Sequence, residues 1–290
     1  MADEFFAAGP SLFKGYDITQ DQLSAMEAFI HDEVTLEDAI KQLISHTTAA
    51  SSPLEMQQRL SGLWTLLNET AVALPSAQPK IIAILQSIRK LPEVDVPRGE
   101  GEDFIDLDDG FIWRELTGWA NNWADTYNYY GSRFVIESYP PEEHAARKTC
   151  WISANAYTAR LAATGEPQLS SYGAALDRAT RVMVDTLEVD HGDSQPRELE
   201  AAAQLFKHAA SELYGRSQQK SSPISLVSLR SSRTGKPPMR EQFCGQEGYS
   251  TDVWNAWKES WALFSSKESF SGEARAAAHE AFVAMEETES

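Results

Sequence analysis

Residues 52–71 read SPLEMQQRLSGLWTLLNETA, and this stretch decides the fold class. Ser52 is a residue type that caps helix N-termini, Pro53 suits the first helical position, and Glu55 completes a capping box. The apolar residues that follow recur every three or four positions and therefore share one helical face. They are Leu60, Leu63, Trp64, Leu67 and Ala71. We expect a long amphipathic helix that begins at Pro53.

The same start signals and apolar spacing recur along most of the chain. Thr35 precedes two acids and an apolar series at helical spacing, and Ser271 is the expected cap of the last helix. Further helices are expected over 81–91, 111–130, 142–164, 170–189, 197–214, 251–265 and 272–286. Residues 224–229 alternate like a β-strand but have no obvious partner. The prediction is an all-α fold: a single irregular bundle of about nine or ten helices, forming one domain over residues 1–290 with its core in 20–290.

Two long loops of opposite charge interrupt this pattern, near residues 92–110 and 217–240. The first holds prolines and most of an acidic run, whereas the second contains five basic residues and no acid. The simplest interpretation of the basic loop is a mobile surface segment that is attracted to an acidic body. The alternatives are a lid over an anionic ligand and a regulatory segment whose serines are phosphorylated.

Composition excludes several classes of protein. The chain has 43 acidic and 25 basic residues, a formal charge of −18, so its surface repels phosphate backbones and we expect no nucleic-acid partner. No apolar run approaches the length of a membrane span, and residues 1–6 begin with acids rather than the basic patch of a secretory signal.

Cys150 and Cys244 form no metal-binding motif. Reduced thiols and a cytoplasmic location are the expectation, although a disulfide between them stays open.

Several short blocks resemble successive parts of one protein family. They are Val34–Ala39, Gly62–Ala71, Leu85–Pro92, Phe111–Leu116, Trp151–Leu161, Ala174–Asp177 and Leu187–Glu188. In order and spacing they resemble a large fungal family of helical proteins, catalogued as domain of unknown function 3632, over roughly residues 34–215. The proline that usually follows the central tryptophan block is replaced by Thr117. The resemblance implies an intracellular helical protein of a filamentous fungus and assigns no activity.

Acidic residues close to the first loop are the candidate metal ligands. Asp106, Asp108, Asp109 and, further along, Asp125 could hold Mg²⁺, because close carboxylates bind hard divalent cations. The run lacks the spacing of an EF-hand loop. The simpler interpretation is a solvated acidic loop that precedes a helix N-terminus, where the helix dipole favours negative charge.

Aromatic residues are concentrated in the segment that follows. Trp119, Trp123 and Tyr127 are four residues apart and share a helical face, and Trp113 lies just before them. Such a stripe more often packs a core than lines a ligand site. The functional alternative is a deep aromatic-walled pocket, in which ring faces stabilise carbocations or quaternary ammonium groups.

Polar residues in an apolar helix form the third candidate. Asn155 and Arg160 have mostly apolar neighbours, and Arg147 precedes them on the same segment. A buried arginine needs a partner, so the simpler interpretation is a structural ion pair with Asp185 or Glu188. The functional interpretation is a clamp for an anionic ligand, since guanidinium matches carboxylate and phosphate oxygens.

Two hypotheses of function follow. The chain has no phosphate-binding loop, nucleophile elbow, zinc-peptidase motif or Rossmann fingerprint. The first hypothesis is a helical bundle of fungal specialised metabolism that binds, or acts on, an apolar or anionic small molecule. Its most specific version is Mg²⁺-dependent chemistry on a prenyl diphosphate, like that of a terpene cyclase, although neither usual cyclase metal motif is present. The second is a non-catalytic interaction or regulatory module, with a homodimer through the aromatic helix as one form. Whether the protein is an enzyme stays open.

Overall fold

The computed structural model describes residues 2–97, 107–134, 139–170, 176–219 and 249–290. Twelve α-helices lie in these ranges: α1 Ala2–Leu12, α2 Gln20–Ile30, α3 Leu36–Thr48, α4 Pro53–Ala73, α5 Gln78–Ile88, α6 Trp119–Phe134, α7 Pro141–Ala163, α8 Pro167–Ser170, α9 Leu176–Leu187, α10 Leu199–Gln218, α11 Thr251–Ser266 and α12 Gly272–Glu289. No β-strand occurs there beyond one isolated bridge residue at Val189. The all-α prediction is confirmed, and the predicted number of helices was slightly low. The strand-like stretch 224–229 and nearly all of the basic loop lie outside the described residues.

The chain divides into two compact units. The first comprises Met1–Pro140 with Ser171–Gly173, and the second comprises Pro141–Ser170 with Ala174–Ser290. The single domain predicted from the sequence stays a prediction. Within the described ranges, no helix combines the length and the hydrophobicity that a membrane crossing needs.

Helix α4 is the central element of the first unit, and it packs against α3, α5 and α6. Its five predicted core residues are all buried, as expected from their spacing. Ser52 caps the helix by accepting a hydrogen bond from the Glu55 N–H (3.2 Å). The predicted capping box needs a correction, because the Glu55 carboxylate reaches the backbone N–H of Ser51 (2.6 Å) rather than that of Ser52. Helix α4 is buried because α3, α5 and α6 pack around it.

The aromatic helix begins later than predicted. Helix α6 starts at Trp119 rather than at Phe111, because Leu116 (φ 51°) and Gly118 (φ 78°) adopt left-handed backbone conformations that a helix cannot contain. The turn that they form exposes the carbonyl oxygen of Thr117 to the indole N–H of Trp64, which donates to it over 2.8 Å. A hydrogen bond from α4 therefore stabilises the turn, and residues 111–118 are not helical.

Helix α10 is the central element of the second unit, and its largest contacts are with α7 and α12. Phe206 of α10 packs against three tryptophans of α11, with ring centroids 5.4–6.3 Å apart: Trp254, Trp257 and Trp261. Ser271 caps α12 as predicted, accepting from the Ala274 N–H over 3.1 Å. These three tryptophans of α11 are as deeply buried as those of α6, and their role in the core was not predicted from the sequence.

Gly62 is the position where α4 allows the closest approach of another segment. A Cβ atom at residue 62 would collide with the carbonyl oxygen of Asp17, which is backbone and cannot rotate away. We therefore expect Gly62→Ala to destabilise the protein by about 1–3 kcal/mol, although alanine has the better helix propensity. The measurement is the midpoint of urea unfolding, followed by circular dichroism.

The matched control for this substitution is Gly215→Ala in α10. Gly215 is also helical, but a Cβ atom there would meet nothing within 4 Å. Helix propensity alone then determines the change in stability, and we expect Gly215→Ala to be as stable as the unsubstituted protein or more stable. Equal or greater stability of Gly62→Ala compared with Gly215→Ala would contradict the close packing of residue 62 against residue 17.

Candidate functional site

The predicted aromatic residues lie in the core of the first unit. Trp113, Trp119, Trp123 and Tyr127 are each at most 4% exposed. Trp113 meets Trp64 edge to face at 6.5 Å, and Trp123 meets Tyr127 at 6.0 Å. These contacts are those of core packing, so the ligand-binding role of the four residues stays a prediction.

The polar residues beside these rings link two helices. The Asn68 side chain on α4 donates to Asn122 on α6 (2.8 Å), and Asn122 donates to Thr65 (3.0 Å). The indole N–H of Trp119 donates to the same Asn68 side chain (3.2 Å). A partly buried polar network beside aromatic residues therefore joins α4 to α6.

The candidate metal ligands fall partly outside what the structure describes. Asp106 and the side chain of Asp109 are not among the described residues. The carboxylate of Asp108 accepts a hydrogen bond from the Thr117 hydroxyl, whereas Asp125 is exposed on α6. No finding tests Mg²⁺ binding by this set, so the metal role stays a prediction.

Helix α7 carries the three predicted polar residues of the second unit in three different environments. Arg147 forms an ion pair with Glu143 one turn earlier, with 3.0 Å between nitrogen and oxygen. Asn155 is fully buried and donates to the carbonyl oxygen of Trp151 over 2.9 Å. Two of the three candidates therefore have partners on their own helix.

Arg160 differs from both of them. In the part of the chain that the structure describes, no carboxylate lies within ion-pair distance of its guanidinium, and its buried Nε has no hydrogen-bond partner. The two expected partners have other contacts: Asp185 pairs with Arg181 (3.4 Å), and Glu188 accepts from the Trp257 indole (3.0 Å). Burial lowers the pKa of Arg160. The structural ion pair expected for this residue is absent among the described residues.

A cleft of about 550 Å³ lies in the second unit. We call it the α10 cleft. Arg160 is not one of its lining residues, but the charge of Arg160 acts on His208, which is. The cleft is lined by Ala162, Ala163 and Gly165 at the end of α7, by Lys207–Glu212 of α10, and by Ala284, Glu287 and Thr288 of α12. Small side chains form much of its wall, and none of these lining residues is aromatic. The aromatic-walled pocket of the sequence analysis is therefore a different feature from this cleft.

A kink in α10 lies in the wall of the cleft. Ala209 has φ −132° and ψ 23°, outside the helical range, and the helix continues on both sides of it. Kinks usually occur at proline or glycine, but His208 and Ala210 flank this one. The kink changes the direction of the helix where His208 and Ala209 line the cleft.

His208 is the titratable group of the cleft whose pKa departs clearly from its ordinary value. Burial, and after it the positive charges of Arg160 and Lys207, lower the pKa of His208 to about 4, while Glu280 acts in the opposite direction. Lys207 also forms an ion pair with Glu280 at 2.8 Å. At neutral pH His208 is therefore an uncharged imidazole in a positive potential, able to donate or accept a hydrogen bond.

The family of the chain follows from a match over most of this architecture. A family model described as "Protein of unknown function (DUF3632)" matches residues 64–261. The chain belongs to this family. In this DUF3632 protein the match runs from α4 to α11, so it includes Arg160 and His208 but not α12, the third wall of the cleft. No curated protein and no solved structure matches the chain. The family is confirmed, whereas fungal origin stays a prediction.

The electrostatic coupling between Arg160 and His208 is directly measurable. We expect the His208 imidazole to titrate with a pKa of about 4 in the intact protein, and Arg160→Gln to raise that pKa because it removes a nearby positive charge. Titration of the imidazole carbon-bound protons by NMR measures both values. Arg114→Gln, an equal charge change on an exposed residue of the first unit, is the control and should leave the His208 pKa unchanged. An unchanged His208 pKa in the Arg160→Gln variant would mean that the two side chains are not neighbours.

Proposed function

We propose that the protein binds a small molecule carrying a phosphate or carboxylate group in the α10 cleft. The observation that carries this proposal is Arg160, a half-buried guanidinium with no acidic partner in the described ranges, next to the neutral His208 of the cleft wall. An anion in that place would supply the missing partner. The volume of about 550 Å³ lies in the range of small-molecule sites.

The chemistry of the cleft fits an anionic group with a modest apolar part. Burial first, and then the positive charges of Arg160 and Lys207, lower the pKa of His208. Lys207 is paired with Glu280, and Glu212 and Glu287 also line the cleft, so the Arg160 guanidinium is the charge that would favour a negative ligand atom. His208 adds a neutral N–H donor beside the kink at Ala209. Alanines from α7, α10 and α12 offer apolar surface without filling the space. Charge-assisted hydrogen bonds to arginine are the strongest contacts of this set.

The more specific prenyl-diphosphate hypothesis receives no added support from this cleft. A diphosphate could bind near Arg160, but cyclisation chemistry also needs aromatic faces around a carbocation, and no lining residue is aromatic. We therefore propose binding and assign no reaction. The alternative, an interaction or regulatory module, makes a different prediction: no small anion would bind, and a protein partner or a homodimer would form instead.

A panel of ligands tests the proposal. Thermal unfolding at low ionic strength is followed with phosphate, pyrophosphate, citrate and farnesyl diphosphate, and calorimetric titration then gives the affinity of each ligand that raises the melting temperature. We expect at least one of the four to bind, and Arg160→Gln to weaken it about 10- to 100-fold, because a hydrogen bond to a charged group contributes about 1.5–3 kcal/mol. Arg114→Gln should change the affinity little, since it alters only the net charge.

A steric variant separates the cleft from general electrostatics. Ala163 lines the cleft and is exposed, so Ala163→Leu should narrow the space without disturbing the core or the charge. We expect it to weaken the same ligand. The proposal is wrong if no ligand of the panel binds, or if Arg160→Gln and Arg114→Gln weaken binding equally.

A further inference from the structure

Asp3, Glu27 and His31 meet on the surface of the first unit. Each offers one ligand atom, and these atoms all lie within 4.8 Å of one another. The Nε2 atom of His31 is 2.9 Å from Oδ1 of Asp3. Asp3 lies in the first turn of α1, whereas Glu27 and His31 are four residues apart at the end of α2 and therefore share a face. The trio thus joins two helices.

Core packing beneath the trio fixes the position of α1. Phe6 is buried, and Gly9 lies so close to α2 that a Cβ atom there would be 3.1 Å from a methyl group of Leu23. Because α1 is held against α2 by these contacts, the approach of Asp3 to His31 does not depend on the surface side chains alone.

The charge around the trio is not balanced by a basic side chain. In the described part of the chain, neither Asp3 nor Glu27 forms an ion pair with lysine or arginine. Lys80, which reaches the same end of α2, binds Asp32 (2.7 Å) and the carbonyl oxygens of Phe29 and Ile30 (3.1 and 2.8 Å). Two carboxylates therefore share one imidazole, at a helix C-terminus where a cation is favoured.

A second histidine–aspartate pair in the same unit provides a contrast. His46 lies 2.8 Å from Asp17, so its geometry resembles that of His31 and Asp3. That cluster also contains Arg59, 3.7 Å from Asp17, and Glu55, which forms an ion pair with Arg59. The two acids near His46 therefore share an arginine, whereas the acids of the trio have no lysine or arginine partner in the described part of the chain.

We propose that Asp3, Glu27 and His31 form a site for a divalent transition-metal ion, with Zn²⁺ as the best fit. One imidazole nitrogen and two carboxylate oxygens suit Zn²⁺ better than Mg²⁺, which prefers oxygen ligands alone. Three protein ligands leave one position for water. A bound ion would neutralise both carboxylates and link α1 to α2. This inference concerns the first unit and does not depend on the proposed function of the second.

Metal titration of the 290-residue chain tests the site. The protein is freed of metal with a chelator and titrated with Co²⁺, followed by its visible absorption, and then with Zn²⁺ in competition. We expect one ion per chain. His31→Gln, Asp3→Asn and Glu27→Gln should each weaken binding by about 10-fold or more, since even outer-shell changes at metal sites cost that much.

The control is His46→Gln, which removes a similar histidine from a cluster in which the guanidinium of Arg59 pairs with both nearby carboxylates. It should leave the affinity unchanged. All four substitutions are at surface side chains, and circular dichroism verifies that each variant is folded. The proposal is overturned if no ion binds at a one-to-one ratio, if the three trio variants bind as tightly as the original protein, or if His46→Gln weakens binding equally.

Discussion

The structure depends on one constraint, that a polar group taken out of water must find a partner. The constraint applies to tryptophan in particular, because its large ring packs in the core while its N–H needs an acceptor. Trp64 uses a main-chain carbonyl in a turn, Trp119 uses Asn68, and Trp257 uses Glu188. In each of these three cases the partner lies outside the helix or turn of the tryptophan, so the hydrogen bond also joins two parts of the fold. The buried indole nitrogens of Trp113 and Trp261 have no such partner among the described residues. The polar residues beside the aromatic rings are explained by this requirement.

Arg160 is one of several buried groups that lack a hydrogen-bond partner among the described residues, and its charge acts on His208 in the wall of the α10 cleft. Its neighbours on α7, Arg147 and Asn155, satisfy the constraint locally, whereas its guanidinium has no acid in the described ranges. A cation of this kind is costly unless an anion compensates for it. Burial lowers the pKa of His208, and the positive charges of Arg160 and Lys207 lower it further, although Glu280 acts in the opposite direction. The charge of Arg160 therefore reaches the wall of the α10 cleft, and it indicates the chemistry of the ligand that the cleft would accept.

Local sequence signals were sufficient for most of the fold. Ser52, Thr35 and Ser271 each cap the helix that they were expected to cap, because capping depends on residues within one turn. The start of α6 could not be predicted, since the left-handed backbone at Leu116 accompanies a hydrogen bond from Trp64, far away in sequence. The kink at Ala209 could not be predicted either, because no proline or glycine marks it in the sequence. Arg160 was recognisable as a charge in an apolar helix, but its cleft also needs α12.

Anion binding at Arg160 and the α10 cleft can be located directly. The most direct measurement is an amide NMR titration of the ¹⁵N-labelled protein with pyrophosphate, together with the Arg160 side-chain Nε signal. The account predicts that the largest changes occur at the Arg160 Nε and at the amides of Ala209 and Ala210, around the kink. Changes confined to exposed lysines and arginines elsewhere, or to the aromatic helix α6, would contradict it.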